Sequence, residues 1–131
     1  MPDINLLAVL AAAVSAFVLG GLWYSPALFA KSWMRATGLH EDDLQGGAGR
    51  IFGGTFALSL IAAFVFALFL GPAPALPFAV GAGASAGLCW VAASFGISYL
   101  FERRSLALWA INGGYHTLQF TLYGLVLGLW H

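Results

Sequence analysis

The chain has 131 residues, 61% of them hydrophobic and only 8% charged, with a mean hydropathy of +0.90 and no net charge. A soluble domain carries about 25% charged residues, so too little polar surface is present to cover a water-exposed molecule. Only five Lys or Arg are present, which argues against nucleic acid as a partner, because phosphates need a basic face.

One domain, residues 1–131, is the expectation from length. Cys89 is alone and cannot form an internal disulfide. Four apolar runs stand out, each near the ~20 residues that cross a ~30 Å hydrocarbon core. They cover about Ile4–Tyr24, Ile51–Leu70, Phe78–Phe101 and Leu106–Trp130, and no Lys or Arg lies inside any of them. The first is expected to be a span, with a signal peptide as the alternative that its lack of a basic leader and the poor cleavage site WYSP disfavour. Aromatic residues at the span ends (Trp23, Tyr24, Tyr99, Phe101, Trp130) suit an interfacial belt.

Between the first two runs, Ser25-Pro26 fits an N-cap followed by proline at the first helical position. A helix over 26–37 would place Lys31, Ser32 and Arg35 on one face. Phe29, Ala30, Trp33, Met34 and Ala36 would take the other face, and Gly38 would end the helix. That pattern predicts a short amphipathic helix in the membrane interface, with a plain juxtamembrane linker as the alternative. LHEDDLQGGAG, which follows, is polar and acidic enough to be solvated.

Positive charge sets the topology. Lys31, Arg35 and Arg50 lie in the first loop, and Arg103 and Arg104 in the third. With four spans these loops share a side, which the positive-inside rule makes the cytoplasm, so both termini face out. The Pro-rich GPAPALP linker predicts a tight hairpin of spans two and three, and ERRS one of spans three and four.

The run GGLWYSPALFAKSWMRATGL, together with INGGYH and the terminal GLVLGLW, resembles a bacterial family of small membrane proteins, the domain of unknown function DUF1761. The resemblance covers essentially the whole chain. LHEDDLQGGAG departs from it, since that family's loop is usually richer in lysine. The resemblance implies a multi-pass protein of the bacterial inner membrane and supplies no catalytic residues.

The fourth run carries the chemistry. Asn112, His116, Gln119 and Tyr123 follow i, i+4, i+3, i+4 steps, so they stack along one helix face. In lipid an unsatisfied polar group costs several kcal/mol, so such a face must look inward. Two readings stand. The residues are interhelical glue worth about 0.6–2 kcal/mol each, or they line a path for a small solute, ion or proton with His116 as the titrating group. Gly83, Gly87, Ser94 and Ser98 share a face of span three, which makes Ser94 and Ser98 candidates for the same polar core. Asn5, Ala8, Ala12 and Ser15 form a small face in span one, and Thr55 and Ser59 another in span two. Gly124 and Gly128 form GxxxG, suited to packing inside the bundle or between subunits.

Enzyme chemistry is not expected. Every carboxylate (Asp3, Glu41, Asp42, Asp43, Glu102) lies outside the apolar runs, and no HExxH, CxxC or GxSxG is present. His116 with Cys89 would supply two metal ligands where zinc takes three or four, so no metal or cofactor is expected. The expectation is an all-α membrane protein: four transmembrane helices in a bundle plus a short interfacial amphipathic helix after the first. Its function is a small channel or transporter centred on the fourth-span stripe, requiring an oligomer built through small-residue faces. The alternative is a scaffold that binds lipid or a protein partner.

Overall fold

The computed structural model describes residues 3–131, all helix, turn or loop with no strand among them. Helix α1 covers Leu6–Trp23 and α2 covers Ala30–Thr37. A 3-10 turn, Glu41–Leu44, precedes α3, Ala48–Leu70. Next come α4, Leu76–Ser85, a π-helical stretch, Ala86–Ala92, and α5, Ala93–Glu102, forming one continuous rod. Helix α6, Leu106–Leu129, ends the bundle.

Local chemistry explains the ends. Asn5 caps α1 by accepting from the Ala8 amide at 3.1 Å, and Ser105 caps α6 through the Leu108 amide at 3.1 Å. Gly38 closes α2 in the left-handed conformation, φ 77°, and its amide donates to the Met34 carbonyl. Helix α2 begins at Ala30, not at Pro26 as the Ser-Pro pair predicts. The Ser25 hydroxyl donates backward to the Leu22 carbonyl at 2.7 Å and so caps nothing ahead of it. The amides of Leu28 and Ala30 bond to the Ser25 carbonyl, winding residues 25–29 into turns.

Helix α6 is the central element, packed against α1, the α4–α5 rod and α2. Alanine makes the contact with α1 close: Ala8, Ala12, Ala13 and Ala16 are all fully buried. On the other side glycine does the same. A Cβ on Gly83 would stand 2.1 Å from the Phe120 carbonyl oxygen, and one on Gly124 2.1 Å from that of Ala79. The GxxxG pair Gly124 and Gly128 therefore packs inside the bundle, against α4.

The rod and α6 pack as an antiparallel pair through the 103–105 turn. Spans two and three do not form the expected hairpin. Helix α3 lies on α1, whereas α4 lies on α6. The linker, with Gly71 at φ 84° and Ala75 extended, carries the chain across the end of the bundle to reach the glycine-rich contact.

Three helices are long and apolar enough to cross a membrane: Leu6–Trp23, Ala48–Leu70 and Leu76–Glu102. Helix α6 has the length, at 24 residues, but not the hydropathy, because Asn112, His116, Gln119 and four glycines dilute it. Large apolar side chains face outward along the first three, including Val18, Leu58, Phe69, Phe78 and Leu100. Trp23 packs on Ile111 of α6, so the loop with Lys31, Arg35 and Arg50 and the turn with Arg103 and Arg104 share one end. Asn5, Pro72, Pro74 and Trp130 surround a small cleft at the other.

Candidate functional site

Asn112, His116, Gln119 and Tyr123 share one face of α6 and span about 16 Å along it. The structure divides them into two connected pieces with different surroundings.

The deeper piece is closed. His116 Nδ1 and Gln119 Oε1 are 2.5 Å apart. The Gln119 amide nitrogen donates to the Tyr123 hydroxyl at 2.7 Å. That hydroxyl lies 2.6 Å from Ser59 Oγ on α3 and donates to the Ser59 carbonyl at 3.2 Å. Tyr123 is 0% exposed and Gln119 7%. Polar groups this deep are tolerated because each has its partner, and among the described residues no buried side-chain polar atom lacks one. Thr55, one turn before Ser59, is exposed and takes no part.

The shallower piece joins three elements. Asn112 Nδ2 donates to the Tyr99 hydroxyl on α5 at 2.9 Å, and Asn112 Oδ1 accepts from the Tyr24 hydroxyl at 2.7 Å. Trp23 Nε1 donates to the Ile111 carbonyl at 2.8 Å. Trp23, Tyr24 and Tyr99 are therefore inward hydrogen-bonding groups, not the belt residues expected. Phe101 and Trp130 do face outward, as a belt requires.

Ser94 and Ser98 do not join the polar core. Both are exposed on the outer face of α5. The π-helical stretch is the cause. Its wide turns accommodate one extra residue, which advances the facing positions by about 100°. Gly83 before the stretch and Gly87 at its start face α6, and Ala92 at its end, then Phe95 and Tyr99, face inward. The Ala92 carbonyl accepts from Trp109 Nε1 at 2.8 Å, which anchors the stretch to α6. Sequence reasoning at a constant 3.6-residue period missed Phe95 and Tyr99 for this reason.

Above Asn112 and His116 a cavity of about 530 Å³ opens. Tyr24, Trp33, Met34 and Phe95 line it, with Glu41 and Leu44 at its mouth. Helix α2 forms its roof. Trp33 and Met34 are half-buried on the side toward α6, and Lys31 and Arg35 are exposed on the other. Phe29 packs on Trp23 at 4.6 Å between ring centroids, and Trp33 meets Tyr24 edge-on at 6.2 Å. The His116 ring stacks on Phe95 at 5.1 Å and 15°. The cavity is therefore aromatic-walled with a few polar groups, a composition common to small-molecule sites. Among the described residues no group of three or more His, Cys, Asp or Glu stands close enough to hold a metal.

These features define a class: an all-helical protein whose three apolar rods have the make-up of multi-pass membrane proteins. The chain belongs to the family described as protein of unknown function DUF1761, whose model matches residues 7–128. No curated protein and no solved structure matches it.

Proposed function

We propose that the chain is a four-span membrane protein that binds a small organic molecule in a one-sided pocket between α2 and α6. The single observation that carries this is the contrast along the α6 stripe. Asn112 and His116 line a cavity of about 530 Å³, whereas Gln119 and Tyr123 below them are buried, Gln119 bonded to Tyr123 and Tyr123 to Ser59 of α3. A pocket open above and sealed below is built for binding, not for free conduction.

In this reading α6 is the fourth span. Its polar groups are tolerable in lipid because α1, α3 and α5 satisfy them. The five positive side chains at one end support the reading that this end faces the cytoplasm of a bacterial inner membrane, with both termini outside. Helix α2 then lies at the cytoplasmic interface, Lys31 and Arg35 toward the headgroups and Trp33 over the pocket. No catalytic step is assigned. Since Gly124 and Gly128 pack within the bundle, association between copies would use other small-residue faces, such as the open Gly49 and Gly53 of α3.

Transport of the bound molecule is the second reading. What favours it is that hydrogen-bonding groups continue beyond the pocket to Tyr123. It requires the Tyr123–Ser59 contact to part. The test has two arms. Ligand-observed NMR against a fragment set in nanodiscs should show binding to the wild type that is lost in Ala30→Trp, which fills the cavity. Ion flux in proteoliposomes should stay at the protein-free background. Binding unaffected by Ala30→Trp would sink the pocket, and flux well above background would put conduction first.

A further inference from the structure

We infer that the pocket beneath α2 takes a primary organic ammonium, an amine carried on an apolar or aromatic body; this rests on reading the pocket as a ligand site. The bonding inventory of the lining leads there. Gln119 donates from its amide nitrogen to Tyr123, so the oxygen it turns to His116 is an acceptor, and His116 donates from Nδ1. His116 Nε2 is then an acceptor, and it has no partner among the described residues. Because no buried side-chain polar atom among the described residues is left unpaired, that nitrogen is not fully buried. Tyr24 gives its proton to Asn112, which leaves its oxygen able to accept. Glu41, exposed at the mouth, offers a carboxylate and is the only charged residue in the lining. The remaining donors, the second hydrogen of Asn112 Nδ2 and the Trp33 indole N–H, are neutral.

The walls agree with the inventory. Tyr24, Trp33 and Phe95 surround the space, and aromatic faces attract cations within about 6 Å. Lys31 and Arg35, which would repel one, do not line the pocket; with His40 they border an adjoining depression that shares Met34 and Glu41 with it. An anion would meet Glu41 and two lone pairs. An ammonium finds acceptors in His116, Tyr24 and Glu41 of the lining, and its body fills the apolar remainder.

The test is calorimetric titration of 2-phenylethylammonium into the full chain in nanodiscs, with empty nanodiscs as the baseline. Saturable binding at least about tenfold tighter than that of 2-phenylethanol or phenylacetate is expected. The N-trimethyl analogue, which keeps the charge and loses the N–H groups, should bind more weakly. Glu41→Gln, at an exposed loop position, should weaken the amine about fivefold and leave 2-phenylethanol unchanged. Equal binding of the alcohol or the acid overturns the inference, as does indifference to Glu41→Gln. Absence of amine binding also overturns it; the pocket itself stands if fragments still bind and fails if Ala30→Trp makes no difference to them.

Discussion

The Tyr123 hydroxyl on α6 meets Ser59 Oγ on α3 at 2.6 Å, across 64 residues of sequence. With the Tyr123 bond to the Ser59 carbonyl, it makes up the side-chain hydrogen bonding between these two helices among the described residues, and it seals the floor of the pocket. Tyr123→Phe leaves Ser59 and the Gln119 amide with one partner fewer in a dry site. A loss of about 1–2 kcal/mol is expected. Ser59→Ala should cost less, since the Tyr123 hydroxyl keeps the Ser59 carbonyl. The double variant should cost less than the sum of the two. Unfolding midpoints in a detergent titration measure all three, and strict additivity would mean the contact carries no coupling.

Asn112 bridges α1 and α5 through two tyrosine hydroxyls. Asn112→Leu should destabilise by about 1–3 kcal/mol. Tyr99→Phe in that background should then add little, because the bond is already lost. A second full-sized loss would show that Tyr99 acts through something other than Asn112.

The close approach of α4 and α6 predicts a contrast between glycines. Gly124→Ala puts a methyl onto the Ala79 backbone, which cannot yield without moving α4. A loss of about 3 kcal/mol or failure to assemble is expected. Gly21→Ala meets nothing within 4 Å and should be neutral or slightly stabilising. Similar behaviour of the two in the same unfolding assay would place the helices farther apart than described.

The wide turns at Ala86–Ala92 set which residues of α5 face inward. Deleting Leu88, an exposed residue, should turn the stretch into ordinary α-helix and keep Phe95 and Tyr99 facing α6, because each then sits one position earlier in a regular 3.6-residue period. The coupling between Asn112→Leu and Tyr99→Phe should therefore survive the deletion. Loss of that coupling would mean that the wide turns do not absorb the extra residue.

Much of this was legible in the residues. The apolar runs gave the helices to within a few positions, since length and hydropathy dominate in such a chain. The α6 stripe was legible because four polar side chains at i, i+4 and i+3 steps cannot face lipid. Gly38 ended α2 as expected. What stayed hidden depends on contacts between distant segments. Nothing local tells that Ser25 bonds backward, that the linker after Gly71 crosses the bundle, or that one extra residue in α4–α5 exchanges Ser94 and Ser98 for Phe95 and Tyr99. The stripe has two surroundings: Tyr123, held by Gln119, ties α6 to α3, and Asn112 and His116 border a cavity. That division follows from where α2 folds back, which amphipathicity alone does not specify.

The most direct measurement is thiol labelling of two single-cysteine proteins, His116→Cys and Tyr123→Cys, both with the exposed Cys89 replaced by Ser. A small impermeant reagent is applied to sealed membranes from each side. The account predicts labelling at 116 only from the side bearing Lys31 and Arg35, and none at 123 from either side. Labelling at 123, or silence at 116 in a folded protein, would contradict a pocket open above and sealed below.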